Sequence, residues 1–229
     1  MFIHRLFSEI APRYDWFNRI ASMGLDQRWR RQAVAASGAS QGMDVLDVCT
    51  GTGDLALLCA THTQRDGMVV GVDFNHTMLQ AALRKQQAAG LNIHWLLADA
   101  QSLPFRSESF DRIFIGFSTR NLSNLAGGLR EMCRLLKANG RLIVLETGRP
   151  SNRLVRIGHL LFLFTVARVI GWLLTGRLWP FTYLARSVKG FVTPTELVAL
   201  LNACGTRACY LPLSGGLASL YIAEKFSTS

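Results

Sequence analysis

From residue 44 onward, short apolar runs alternate with longer stretches in which apolar and polar residues mix at helical spacing. The runs predict strands over 44–48, 68–74, 92–98, 111–117 and 141–146, and the mixed stretches predict helices over 54–60, 77–89 and 125–136. Alternation at this spacing makes an α/β fold, a parallel sheet with helices on both faces. Ligands of such sheets bind beyond the carboxyl ends of the strands, near the switch point. Further on, Thr193-Pro194-Thr195-Glu196 opens a capped helix, with Pro at its first position and Gly205 just past its end. Two last strands over 208–213 and 218–223, joined through Ser214-Gly215-Gly216, predict a hairpin-like antiparallel edge.

Two segments stand outside the alternation. Residues 1–37 read as a helical cap over a pocket edge, with aromatics and charges interleaved as in Arg13-Tyr14-Asp15-Trp16-Phe17 and Arg28-Trp29-Arg30-Arg31. Residues 150–192 form an apolar, basic helical insertion. Between Glu146 and Glu196 there is no acid, while Arg149, Arg153, Arg156, Arg168, Arg177, Arg186 and Lys189 supply positive charge. The apolar helix from Ile157 to Leu174 approaches the length of a membrane span. Arg168 within it argues against crossing, since insertion scales set a central arginine at about 2.5–3.5 kcal/mol. A helix lying in the membrane interface fits better, as does a lid buried over an apolar pocket. The whole reads as a single domain over 1–229.

Composition narrows the partners. Nearly half of the 229 residues are apolar (49%), enough for a large core. A net charge of +10 points to an anionic partner surface, whether membrane, nucleic acid or acidic substrate. The five cysteines contain no C-x-x-C pair and fit a reduced, cytoplasmic compartment; no metal site is expected. Early charge at Arg5, Glu9 and Arg13 speaks against a cleavable signal peptide. The oligomeric state stays open, a homodimer included.

The candidate chemistry begins where the first predicted strand runs into Cys49-Thr50-Gly51-Thr52-Gly53-Asp54. Glycine at 51 and 53 lets the loop take conformations that side chains resist and brings its backbone close to a ligand. The following helix points its amides at the same place. An isolated match of this kind also fits an ordinary strand-to-helix turn or a dinucleotide site. Asp54 discriminates: a carboxylate in the first helical turn would repel a pyrophosphate, but not a cation such as S-adenosylmethionine (SAM). Asp73 closes the second strand about twenty residues after Gly53, the position from which a carboxylate accepts both ribose hydroxyls. Asp99-Ala100 closes the third, where an adenine amino group would be met. Either acid alone is a common turn or helix-cap residue. Together, behind the glycine loop, they predict an adenosyl-ligand site.

At this point the chain resembles the SAM-dependent C-methyltransferases of menaquinone and ubiquinone biosynthesis, over almost its whole length. Phe7-Ser8-Glu9-Ile10-Ala11-Pro12-Arg13-Tyr14-Asp15 and Gly24-Leu25 with Trp29-Arg30 look like the family's first signature. Leu46 through Asp54, Gly71-Val72-Asp73-Phe74 and Asp99-Ala100 with Leu103-Pro104-Phe105 are similar to its cofactor motifs. Phe117-Ser118-Thr119-Arg120-Asn121, Leu145-Glu146 and Ser214-Gly215-Gly216 match later signatures. The resemblance implies a Rossmann-like class I methyltransferase fold, a mostly parallel seven-stranded sheet with an antiparallel edge. It implies that Thr52, Asp73, Asp99 and Ala100 contact SAM, with Gly51, Gly53 and Gly116 beside them. The chain departs from the family pattern in places. Ser118-Thr119 stands where Gly-Leu is usual, Gly116 where a cofactor-contacting serine is common, Ala138-Asn139-Gly140 where a Pro-Gly-Gly turn is common, and Thr147-Gly148-Arg149-Pro150 is atypical. Cys49-Thr50 leans toward the menaquinone branch.

The activity so implied is methyl transfer to a ring carbon of a polyprenylated quinol, most simply demethylmenaquinol, with ubiquinone-pathway methylation as the alternative. Ring carbon and methyl must be held in line near 3–3.5 Å, and the developing quinolate oxygen must be stabilised. Arg120 and Asn121, at the end of the fourth strand, are the catalytic candidates, with Tyr14 or His4 assisting. Arginine stays protonated and is a poor base; it would stabilise the oxyanion or orient a water. A structural ion pair of Arg120 with Asp15 or Glu146 is the competing expectation. A non-catalytic SAM- or quinone-binding accessory protein is a second reading. A nucleic-acid methyltransferase is a third, weakened by the lack of an Asn/Asp-Pro-Pro-aromatic motif, so no nucleic-acid partner is expected. The expected location is the cytoplasm, peripheral at the inner face of an anionic membrane.

Overall fold

The computed structural model describes residues 2–63 and 67–226; Met1 of the expected cap lies outside them. Seven strands form one sheet: β1 (Val45–Val48), β2 (Val69–Asp73), β3 (His94–Leu97), β4 (Phe110–Gly116), β5 (Leu136–Thr147), β6 (Thr206–Leu213) and β7 (Ala218–Lys225), in the order β3-β2-β1-β4-β5-β7-β6. β1 to β5 pair in parallel, and β7 runs antiparallel to both β5 and β6. The expected antiparallel edge is therefore present, with a twist in its order: the last strand slots between β5 and β6. Every residue of β1 and β2 is buried, as a central parallel strand covered on both faces requires. The switch point lies between β1 and β4, and the chain's glycine loop leaves β1 there.

Helices α1 (Phe2–Ile10), α2 (Tyr14–Ala21) and α3 (Leu25–Ser37) make the N-terminal cap. α4 (Asp54–Thr63), α5 (His76–Ala89) and α6 (Leu125–Leu135) are the crossovers, and α7 (Arg153–Phe164), α8 (Val166–Thr175) and α9 (Trp179–Gly190) fill the insertion before α10 (Pro194–Asn202). α10 is capped as expected, and the cap is a capping box: Thr193 accepts from the Glu196 amide while Glu196 reaches back to the Thr193 amide. β5 starts earlier than its hydrophobic run suggests. Phe110 pairs with Leu136, then the register shifts and resumes at Arg112 with Arg141, with Asn139 at φ 60° inside the irregularity. Asn tolerates that left-handed conformation better than most residues do, so it serves where a glycine turn is usual.

The insertion differs most from its sequence pattern. The single apolar helix expected over 157–174 is two helices, because Thr165 (φ −119°, ψ −81°) breaks it. Arg153–Thr175 is long and apolar enough to cross a bilayer by length and composition, yet parts of it enter a small core. Leu163, Ala167, Phe181 and Ala185 from the insertion bury against Leu6, Ile10 and Phe17 from the cap. Phe17 and Phe181 lie 4.4 Å apart between ring centroids. Cap and insertion thus form one lid over the carboxyl ends of the strands.

Candidate active site

A cavity of about 300 Å³ opens where β1, β2 and β4 end. Gly51, Thr52, Asp73, Asp99, Ala100 and Gly116 line it, and Tyr14 and Asn121 close one side. Asp73 is held in place by two amides: Gly51 donates to one carboxylate oxygen (2.9 Å) and Asn75 to the other (2.8 Å). Each oxygen keeps a lone pair for a further donor. Burial raises the Asp73 pKa, and those amides pull it back. Gly51 has φ 57° and open space where a Cβ would stand, so backbone and ligand can approach closely there.

Gly53 is not part of this wall. A Cβ on it would meet the Trp95 ring at 2.7 Å and Ala82 at 3.0 Å, so the residue is glycine to let β3 and α5 pack against the loop. Gly116 does line the cavity, and a Cβ there would meet the Leu55 side-chain end at 2.6 Å, so a larger residue would need that leucine to shift.

Asp54 also does something other than its position suggests. Burial would raise its pKa, but Lys85 and Arg30 outweigh burial and hold it low. Lys85 binds Asp54 directly and reaches Asp15 at 3.0 Å; Gln27 donates to Asp54 at 3.0 Å. Its charge is therefore neutralised inside the protein and cannot discriminate between ligands alone. The discrimination falls to the remaining lining carboxyls, Asp47, Asp73 and Asp99, which stand against a single lining cation among the described residues, Arg30. Asp47 is the residue that the pattern hid. It sits in a fully buried strand, accepts from the Thr50 hydroxyl (2.5 Å) and the Ala56 amide (3.1 Å) through one oxygen, and leaves the other buried with no partner among the described residues. Burial pushes its pKa up to about 7. A charged residue interrupting an otherwise apolar strand was the available signal.

Thr52 ties this cavity to the cap: its hydroxyl donates to Asp15 at 2.6 Å. Asp15 is thus engaged by Thr52 and Lys85, which leaves Glu146 as the partner of Arg120. Arg120 donates to a Glu146 carboxylate oxygen and to the Phe117 carbonyl (2.6 Å), and both side chains are nearly fully buried. The competing ion-pair expectation for Arg120 is therefore met. Its Nε remains buried without a partner among the described residues.

Arg120 lines a second, apolar cavity of about 150 Å³ under the lid, rather than the first. Phe117, Phe181, Leu163 and His159 share that lining. Phe7, Tyr14, Arg30 and Asn121 belong to both cavities and mark their junction. Asn121 accepts from the Tyr183 hydroxyl at 3.0 Å, and burial raises the Tyr14 phenol. Arg30 is fixed by Asp26 (2.8 Å) and lies 5.2 Å from the Phe117 ring centroid. His4, by contrast, lines neither cavity and packs its ring edge-on against Phe74 at 5.8 Å. His159 and Tyr183 lie in the insertion, where no motif singled them out.

Residues 1–225 match the model of the ubiE/COQ5 methyltransferase family. The chain is 39% identical to the demethylmenaquinone methyltransferase of Thermus thermophilus, over 96% of this chain and 100% of that protein. It is 39% identical to the ubiquinone/menaquinone biosynthesis C-methyltransferase UbiE of Geobacter sulfurreducens, over 97% of this chain and 88% of that protein. Among solved structures, a putative SAM-dependent methyltransferase from Methanococcus maripaludis superposes with a TM-score of 0.67 at 19% identity, covering 97% of this chain and 94% of the other. A SAM-dependent methyltransferase from Aquifex aeolicus gives 0.64 at 19% identity, covering 85% and 88%. At that identity these structures speak to the fold, which is Rossmann-like class I.

Proposed function

Since the chain belongs to the ubiE/COQ5 methyltransferase family, we propose that it carries a methyl group from SAM to a ring carbon of a polyprenylated quinol, converting demethylmenaquinol to menaquinol. Ubiquinone-pathway ring methylation is the alternative. One observation carries the reading: a carboxylate-lined cavity and an apolar cavity meet at Tyr14 and Asn121. The first fits a cationic adenosyl ligand. It presents an unpartnered buried oxygen on Asp47, an amide-oriented Asp73 for the ribose hydroxyls, and room above Gly51. Bound there, SAM supplies an electrophilic methyl on a sulfonium. The second cavity fits an aromatic ring with an apolar tail. Arg120, with its buried free Nε, is the donor for the quinolate oxygen, and Tyr14 and Asn121 orient the ring at the junction. Such a donor acts mainly in the transition state, where the oxygen becomes charged.

The lid extends the proposal to the membrane. Leu154, Leu161 and Leu173 are among the most exposed apolar residues, and the acid-free insertion surrounds them with bases. We place the protein in the cytoplasm, docked peripherally on anionic lipid through residues 149–190, with the insertion as a part of the single domain. The test supplies purified chain with methyl-labelled SAM and demethylmenaquinol in detergent. Label is expected in the quinol, with a mass gain of one methyl. SAM binding without label in any quinol would make the chain a non-catalytic binding protein.

A further inference from the structure

We propose that His159 is the general base of the reaction, the group that takes the proton from the quinol hydroxyl. The inference rests on the quinol reading above. A ring carbon becomes nucleophilic only when a ring hydroxyl gives up its proton, and a phenolic hydroxyl holds it to about pH 10. A side-chain acceptor for that proton would have to stand in the lining of the apolar cavity. Its titratable lining groups are Tyr14 of α2, Asp26 and Arg30 of α3, Arg120, Tyr183 of α9 and His159 of α7.

Five of these are excluded by their own chemistry. Arg30 and Arg120 are guanidinium groups, donors without an acceptor lone pair and poor bases. Tyr14 and Tyr183 are phenols whose pKa burial raises further, so neither exists as the phenolate. Asp26 is committed: one oxygen accepts from Ser22 (3.0 Å), the other from Arg30 (2.8 Å) and Gln27 (3.2 Å). His159 remains. Its ring has no hydrogen-bond partner among the described residues, so a nitrogen lone pair is available. Burial among apolar side chains lowers its pKa and keeps the imidazole neutral at pH 7. Among the described residues, the neighbouring helices bring no other charged side chain into the cavity lining. The one charged residue of α8, Arg168, donates to the Phe164 carbonyl, and Glu9 of α1 binds Arg5 and Arg177. Arg186 and Lys189 of α9 lie outside the lining.

The step balances as follows. An imidazole nitrogen of His159 takes the hydroxyl proton. The ring carbon's electron pair forms the new C–C bond as the sulfur–methyl bond breaks and its electrons return to sulfur. The ring carbon then loses its own hydrogen to water, and the imidazolium returns its proton to the oxygen. One proton is released per methyl transferred. Arg120 and His159 divide the work, the first stabilising the oxyanion and the second moving the proton.

The test uses the full chain with His159→Gln and His159→Asn. Both should bind SAM as the wild type does and lower kcat by roughly 10²–10⁴, the range for a general base. Wild-type kcat/KM should fall below pH 6.5 with one proton, and that acid limb should vanish in both variants. Nitrogen NMR of the unaltered chain supplies a readout independent of turnover: the His159 ring resonances should move when demethylmenaquinol is added without SAM. Ring resonances that stay still, or variants that keep wild-type kcat and the acid limb, overturn the assignment. A wild type whose His159 senses the quinol but which transfers no methyl overturns the methyl-transfer reading, and the assignment with it.

Discussion

At the scale of single residues, Asp47 carries the clearest physical consequence. It is a carboxyl with one oxygen unpartnered in a fully buried strand, and burial lifts its pKa to about 7. The unfolded chain releases the same proton near pH 3.9. The folded state therefore binds the proton more tightly, so this group's stabilisation is complete below about pH 4 and is lost as pH rises toward 7. Asp47→Asn keeps an acceptor for Thr50 and Ala56 but cannot ionise. Its melting temperature, measured by scanning calorimetry without ligand, should exceed that of the wild type at pH 8 and converge on it near pH 4. A constant difference across that range would mean that Asp47 does not titrate there. Glu146 makes the contrasting case: its carboxylate takes the Thr119 hydroxyl (2.7 Å), the Thr147 amide (2.8 Å) and Arg120, so its burial is compensated on every side.

At the scale of elements, the lid is a separate small core laid over the sheet. Gly171 of α8 packs closely against α9: an added Cβ would stand 2.2 Å from the Phe181 ring. Gly171→Ala must push those helices apart, and overpacking of this kind costs about 1–3 kcal/mol. Because the lid's buried cluster is distinct from those of the sheet, the effect should stay local. Hydrogen exchange should accelerate in α7 to α9 while β1, β4 and β5 keep wild-type protection. Uniform acceleration across the sheet would show instead that lid and sheet unfold together.

At the scale of the molecule, charge and exposed apolar surface coincide. The chain carries +10 overall, and its insertion is free of acids while Leu154, Leu161 and Leu173 are 78%, 60% and 70% exposed. Each surface base near an anionic bilayer contributes about 1 kcal/mol, and the attraction fades with salt. Co-sedimentation with vesicles containing anionic lipid should therefore be strong at low salt and weak in neutral vesicles. Leu154→Ser with Leu173→Ser should reduce it at constant charge. Vesicles that fail to retain the chain at low salt would leave the insertion a lid alone.

What the sequence determined by itself was local. Apolar runs of strand length, the glycine loop after the first strand and acids at strand ends located the sheet and the cavity at its carboxyl edge, because a strand's burial and a turn's dihedral demands are written in neighbouring residues. Tertiary structure decided whatever depended on partners far along the chain. Glu146 rather than Asp15 faces Arg120, Lys85 cancels Asp54, and Trp95 explains Gly53. β7 enters between β5 and β6, and Thr165 bends an apolar stretch long enough to span a bilayer into two helices that help cover a pocket. Hydrophobic periodicity reports that a residue is buried. It does not report against what, and the charge of a side chain, the role of a glycine and the path of an apolar helix all turn on that neighbour.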